Sequence, residues 1–225
     1  MTDTLTESAE SLQPATPEKQ SRRAKNQPAR SNVMPVLEQL AAFYPQLFGA
    51  VFLPLKRGIF QDLLAAHPEA FEREALKAAL SMHTRSTRYL SAVAAGQQRH
   101  DLQGQPVEAM APEHVHHALL EVFRRRQART SDDLRPKLRE RIVQVLMASG
   151  LSPLAYAELV RSRDEAANAV LDEALADAQA LAAKDEALLR AFEASAQTVE
   201  VFADMYGMDP RLVTRMLERA RAVAA

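Results

Sequence analysis

The chain has 225 residues, 47% of them hydrophobic, with 28 Lys and Arg against 29 Asp and Glu and a formal net charge of −1. Without Trp or Cys and with 5% aromatics its core must be filled mostly by aliphatic side chains, and disulfides, thiolate metal sites and cysteine nucleophiles are excluded. Met1–Pro28 is polar throughout, so no signal peptide is expected, and no segment reaches the roughly 18 uninterrupted apolar residues of a membrane span; the expected compartment is the cytoplasm.

The near-neutral total conceals a segregation. Residues 1–30 carry five basic and four acidic side chains, residues 31–130 eleven and nine with all six histidines, and residues 131–225 twelve and sixteen. Bulk charge marks none of the three as a nucleic-acid binder, so a basic surface would have to come from particular side chains converging.

Residues 1–31 are rich in Ser, Thr, Gln and Pro, with a basic cluster at Arg22, Arg23, Lys25 and Arg30. Too few apolar groups are present to offset the entropy of ordering, which predicts a disordered arm. Its cations serve either as a solvated tail or as a source of phosphate contacts that ignore sequence.

Residues 32–129 are expected to form an α-rich domain with one small β-hairpin. Val36, Leu37, Leu40, Ala41 and Tyr44 follow helical spacing up to Pro45. A second helix is predicted over Gly58–Ala66, with Ile59, Phe60, Leu63 and Leu64 as its apolar face, and a third from about Phe71 to Ser91. The stretch from Gly96 to Val107 alternates around Gly104 and predicts the hairpin. Pro112 and Glu113 open a last helix that ends in the basic run Arg124, Arg125, Arg126 and Arg129.

Residues 130–225 read as an acidic, all-α extension, with helices near 134–148, 153–162, 164–206 (a break within it left open) and 210–223. Ser152-Pro153 and Asp209-Pro210 each give an N-cap with proline at the first helical position, and Gly150 and Gly207 end the helices before them. Between Glu158 and Asp209 there are twelve acidic and four basic residues, a stretch that should repel phosphate.

Several residues of the middle region suit anion binding. Lys56 precedes Gly58 at a helix start, where free N–H groups and the helix dipole favour negative charge; a solvated lysine is the plain alternative. Arg88 can fork onto a phosphate, and Tyr89 either stacks on a base or anchors its helix to the core. Arg99 and Asp101 lie two apart on a strand, hence on one face, where Asp101 is expected to orient the arginine.

The order of motifs in this region resembles the ProQ/FinO family. Pro54–Leu63 reads Pro-Leu-Lys-Arg-Gly-Ile-Phe-Gln-Asp-Leu, followed by Leu76-Lys-Ala-Ala-Leu80, Thr84, Arg88-Tyr-Leu90, Gly96, Arg99 and Asp101-Leu-x-Gly104. Phe43-Tyr-Pro upstream and Glu113-His114 downstream extend the likeness over about residues 36–128. The resemblance implies a mixed, mostly helical domain and an RNA-binding face at Lys56, Gly58, Arg88, Tyr89 and Arg99. Lys77 keeps the charge of the family's usual arginine without its fork. Ser81 and His83 depart from a basic residue and a tyrosine, and Arg57 and Arg85 add charges the pattern does not require. The implied ligand is structured RNA, small RNAs and mRNA 3′ ends, above all a hairpin base followed by a single-stranded 3′ tail. The implied role is stabilising small RNAs and modulating their pairing with mRNA in post-transcriptional regulation, as an RNA chaperone.

Other signals are weaker. His114, His116 and His117 lack the motif and remote ligand of a zinc site, so no metal or other cofactor is expected. No phosphate-binding Gly loop, nucleophile elbow or paired-carboxylate motif suggests an enzyme. Ala203, Gly207 and Val213 fall at helix-turn-helix spacing, but a plain helical hairpin accounts for them and DNA is not an expected partner. For the acidic extension three roles stand open: packing as a bundle, binding a protein partner, or competing with RNA for the basic face. The competing reading for the whole chain is a protein-interaction adaptor working through its acidic C-terminal helices with little RNA binding.

Overall fold

The computed structural model describes residues 33–224; the predicted arm and its basic cluster lie outside them. Helix α1 (Val33–Phe43) turns Val33, Val36 and Leu40 inward at the i, i+3, i+7 spacing its sequence dictates. Pro45, expected only to stop this helix, also opens the one-turn helix α2 (Pro45–Phe48), since proline suits the first helical position. Helix α3 (Ile59–Ala66) follows the loop at Pro54–Gly58 and buries Ile59 and Leu63.

The helix predicted over Phe71–Ser91 is two helices, α4 (Arg73–Thr84) and α5 (Thr87–Ala94). Ser86 takes extended backbone angles and its side chain accepts the Tyr89 N–H, so it restarts the chain as an N-cap. Strands β1 (Arg99–His100) and β2 (Pro106–Glu108) pair antiparallel, with Arg99 opposite Glu108 and an irregularity between Arg99 and His100. Gly104 holds the turn at φ +74°, and a Cβ there would collide with the Gln46 side chain.

Helix α6 (Pro112–Gln127) leads into the extension: α7 (Arg135–Ser149), α8 (Pro153–Val160), α9 (Glu165–Ser195), α10 (Val199–Met205) and α11 (Pro210–Ala224). Ala196, at φ +50°, makes the break between α9 and α10. The architecture is thus mostly helical with one two-stranded sheet.

One apolar cluster runs from Val33 through Leu40, Leu63, Leu76 and Leu120 into Leu138, Ile142, Tyr156, Leu171 and Ala178. Each fully buried Leu or Ile in it contributes about 1.5–3 kcal/mol by leaving water. A second cluster, Phe202, Ala203, Val213 and Leu217, packs α10 and α11 on the Leu188–Phe192 part of α9. There Arg219 forks onto the buried Asp185 at 2.7 and 2.9 Å. His116 is buried beside the first cluster, bonded to the Tyr156 hydroxyl at 3.0 Å, and burial lowers its pKa to about 4.

Candidate functional site

The site is built around the backbone of one residue, Leu55. The Tyr89 hydroxyl accepts the Leu55 N–H at 3.1 Å, and Arg99 Nη1 donates to the Leu55 carbonyl at 3.0 Å. The His100 N–H donates to the Pro54 carbonyl at 2.7 Å and the Lys56 N–H to the His100 carbonyl at 2.8 Å, so β1 grips the loop from its other side. With both polar groups of a buried residue satisfied, the loop is fixed where an unpaired group would cost about 1–3 kcal/mol.

This fixed loop presents Lys56, Arg57 and Gly58. Gly58 stands at φ +81° as the N-cap of α3, a backbone state that L side chains rarely adopt. Lys56 Nζ lies 2.8 Å from Asp62 in the first turn of α3, and that hydrogen bond raises the ammonium pKa. The Arg57 guanidinium is exposed, with its Nε 3.7 Å from Glu108, whose carboxylate also accepts the Arg57 N–H at 3.3 Å. Glu108 also lies 3.5 Å from Arg99 Nε.

One sequence expectation changes here. Asp101 does not orient Arg99: the strand ends at His100, and the Asp101 carboxylate accepts the Gln103 and Gln105 N–H groups at 3.0 and 2.9 Å, capping the turn. Arg99 is held instead by its hydrogen bond to the Leu55 carbonyl, with Glu108 across the hairpin only at ion-pair distance. Tyr89, for which the sequence leaves two readings open, is 7% exposed, and burial raises its phenol pKa.

Of the remaining candidates, Arg88 is exposed and lies over the Phe52 ring at 5.4 Å. Phe52 and Phe48 in turn enclose His83, at centroid distances of 4.2 and 4.7 Å, with Tyr89 at 5.4 Å. His83 is buried and its Nε2 has no partner among the described residues, and desolvation lowers its pKa to about 4. Arg85 is exposed, its carbonyl accepting from Arg125 Nη1 at 2.9 Å. Lys77 is exposed on α4. Thus explicit contacts join Lys56, Arg57, Gly58, Tyr89 and Arg99, Phe52 links Arg88 to them through the His83 cage, and neither Lys77 nor Arg85 bonds to this hub among the described residues.

Sequence reasoning missed Asp62 and Glu108. Asp62 was readable as the acidic residue in the first turn after Lys56; Glu108 needed the hairpin register. Among the described residues no group of three or more His, Asp or Glu is arranged to hold a metal ion, and no single helix is long and apolar enough to cross a membrane.

A family model described as ProQ/FINO matches residues 30–135. The RNA chaperone ProQ of Aeromonas salmonicida and that of Aeromonas hydrophila are each 39% identical to this chain over 89 residues, covering 36% of it and 42% of the relative. The chain therefore spans about two fifths of the length of these curated relatives. Among solved structures, a FinO-like RNA chaperone from Neisseria meningitidis matches with 30% identity over 40% of this chain and 92% of its own, at a TM-score of 0.36.

Proposed function

Because this chain belongs to the ProQ/FINO family through residues 30–135, we propose that it is an RNA-binding protein of the RNA-chaperone type, acting in the cytoplasm and without catalysis of its own. Its ligands are structured RNAs, small RNAs and mRNA 3′ ends, in which a hairpin base is followed by a single-stranded 3′ tail. By holding such ends it stabilises small RNAs and modulates their pairing with mRNA.

The observation that carries this reading is the Leu55 backbone, its N–H bonded to Tyr89 and its carbonyl to Arg99. It sets Lys56, Arg57 and Gly58 on one rigid loop at the start of α3, with Arg88 and Arg85 as further exposed cations and Lys77 on α4. A-form RNA hides its base edges in a deep, narrow groove, so a protein reads phosphates, 2′-hydroxyls and duplex shape. A preorganised cationic loop at a helix N-terminus suits phosphates and costs little ordering on binding. Tyr89 and Arg99 act in this reading by positioning the loop, and Arg57, Lys56 and Arg88 by contact. The adaptor reading is favoured by Met205 and Tyr206 of the extension, 64% and 58% exposed, which would suit a protein partner of the C-terminal helices.

Titrating the full-length chain against a fluorescent terminator hairpin with a 3′ uridine tail, across a salt series, separates the two. The RNA reading expects binding that weakens steeply with salt and falls at least about tenfold in a Lys56→Ala/Arg57→Ala variant. Absence of binding by the parent chain at low salt would reject it in favour of the adaptor.

A further inference from the structure

Three surface depressions meet around α5. The largest, about 690 Å³, lies between α5, α6 and α7, with Ser91, Ala95, Arg126, Lys137 and Arg141 in its lining. A second, about 450 Å³, is lined by Phe52, Arg88, Ser91 and Ala95. Ser91 and Ala95 belong to both, and Arg88 and Ser91 on one face of α5 are followed by its C-cap Ala95 at i, i+3, i+7. A third, about 420 Å³, shares Ala94, Ala95, Arg141 and Gln144 with the first. The depressions adjoin one another through these shared residues, from the candidate site at Phe52 and Arg88 to α7, beyond the residue 135 at which the family match ends, and are taken together as one groove.

Helix α7 sorts its side chains by face. Leu138, Ile142 and Leu146 are buried in the core. Arg139 reaches α9, 3.2 Å from Glu173 and 2.8 Å from Asp177. Lys137, Arg141 and Gln144, three to four residues apart, share the face that lines the groove, and Arg126 joins them from the last turn of α6. All three cations are exposed, and among the described residues none has a carboxylate at salt-bridge distance. Arg141 donates instead to Gln144 at 2.7 Å and to the Ala94 carbonyl at 3.2 Å, two neutral acceptors that hold it in the groove. Glu140 is the one carboxylate in the lining of the large cleft.

The ion-paired carboxylates of the extension lie elsewhere. Asp164 pairs with Arg124, Asp172 with Arg161, Glu173 and Asp177 with Arg139, and Asp185 with Arg219. Carboxylates thus neutralise arginines along α9, while the groove keeps unneutralised cations between low-dielectric walls, an arrangement that concentrates polyanions.

We infer that this groove is a second phosphate track for the same RNA, with Arg126, Lys137 and Arg141 contacting the backbone of the segment that leaves the Lys56–Gly58 loop. The inference rests on the RNA-binding reading and adds to it that the acidic extension contributes to RNA affinity through its α7 face.

The test uses the full-length chain and the same hairpin with a 3′ uridine tail, comparing the parent with Arg126→Gln/Lys137→Gln/Arg141→Gln over a salt series. Each lost phosphate contact flattens the slope of log affinity against log salt by roughly 0.7–0.9, so the triple variant should be shallower by about 2–3 and bind at least about tenfold more weakly at low salt. Lys137→Gln alone, which breaks no hydrogen bond of the structure, should flatten the slope by about one contact, keeping the readout independent of folding. Arg139→Gln, facing α9, should leave the slope unchanged. A triple variant with the affinity and slope of the parent overturns the second track while the RNA reading stands. A loss in Arg139→Gln equal to that in Lys137→Gln also overturns it, as an effect of net charge alone. A parent chain that binds no RNA overturns both.

Discussion

The Tyr89 hydroxyl lies 3.1 Å from the Leu55 backbone nitrogen and accepts its hydrogen bond, tying α5 to the loop that carries Lys56 across 34 residues of sequence. Both residues are buried, at 7% and 4% exposure. Tyr89→Phe keeps the ring and its contact with His83 but leaves the Leu55 N–H unpaired away from water. The expected cost is about 1–3 kcal/mol of folding stability, read as a lower urea midpoint at unchanged slope. RNA affinity should fall with it, because the loop loses one of its two clamps. Unchanged stability would mean that Tyr89 serves the ligand rather than the fold.

Glu108 sits between two candidate cations, 3.5 Å from Arg99 and 3.7 Å from Arg57. Glu108→Gln removes the charge and keeps an oxygen to accept the Arg57 N–H. A surface Coulomb interaction at this separation is on the order of 1 kcal/mol, so the variant should bind the hairpin RNA roughly two- to fivefold more tightly. Fluorescence anisotropy at constant salt checks this; weaker binding would show that Glu108 is needed to hold Arg57 in place.

What sequence reasoning could reach followed from locality. The loop at Lys56–Gly58 and the helices of residues 33–127 announce themselves through apolar spacing, prolines and a run of ordered motifs. The break between α4 and α5 does not, because Leu76, Leu80 and Leu90 fit one helix as well as two, and the decision lies in the cap formed by Ser86. The positioning roles of Tyr89 and Arg99 depend on contacts with Leu55 across 34 and 44 residues, which no local pattern carries. Lys137 and Arg141 were hidden for another reason. They sit in a stretch with twelve basic and sixteen acidic residues, and only the packing of α7 on α9 shows which of these charges cancel.

His83 and His116 are both buried, and desolvation holds both near a pKa of about 4 against an ordinary 6.5. In the unfolded chain they take up protons below about pH 6.5, while in the folded chain they resist until about pH 4. The unfolded state therefore binds more protons in this window, so stability is complete above pH 6.5 and declines as the pH falls toward 4, by up to about 1.4 kcal/mol per pH unit for each histidine. Chemical denaturation at pH 7.5, 6 and 5 should show the decline. His83→Phe, which fits the cage of Phe48, Phe52 and Tyr89 and cannot titrate, should remove about half of it. A pH profile identical to that of the parent would show that the cage admits the charged ring.

The extension closes on itself through Arg219 of α11 and Asp185 of α9, at 2.7 and 2.9 Å, with the Asp185 side chain 2% exposed and that of Arg219 34% exposed. The two members are not equivalent. Arg219→Met replaces a partly exposed cation by an apolar chain of similar length but strands a carboxylate inside the Phe202–Leu217 packing, at a cost of about 3 kcal/mol. Asp185→Asn leaves a neutral acceptor and an arginine that can turn to water, and should cost about 1–2 kcal/mol. The double variant Asp185→Leu/Arg219→Met removes both charges and should recover most of the loss. Native-state hydrogen exchange of α10 and α11 measures these differences locally, and at neutral pH the order Arg219→Met worst, Asp185→Asn intermediate and the double variant nearest the parent is expected. If Asp185→Asn were as damaging as Arg219→Met, the ionic character of the pair would be what holds α11 on α9, rather than the avoidance of a stranded charge.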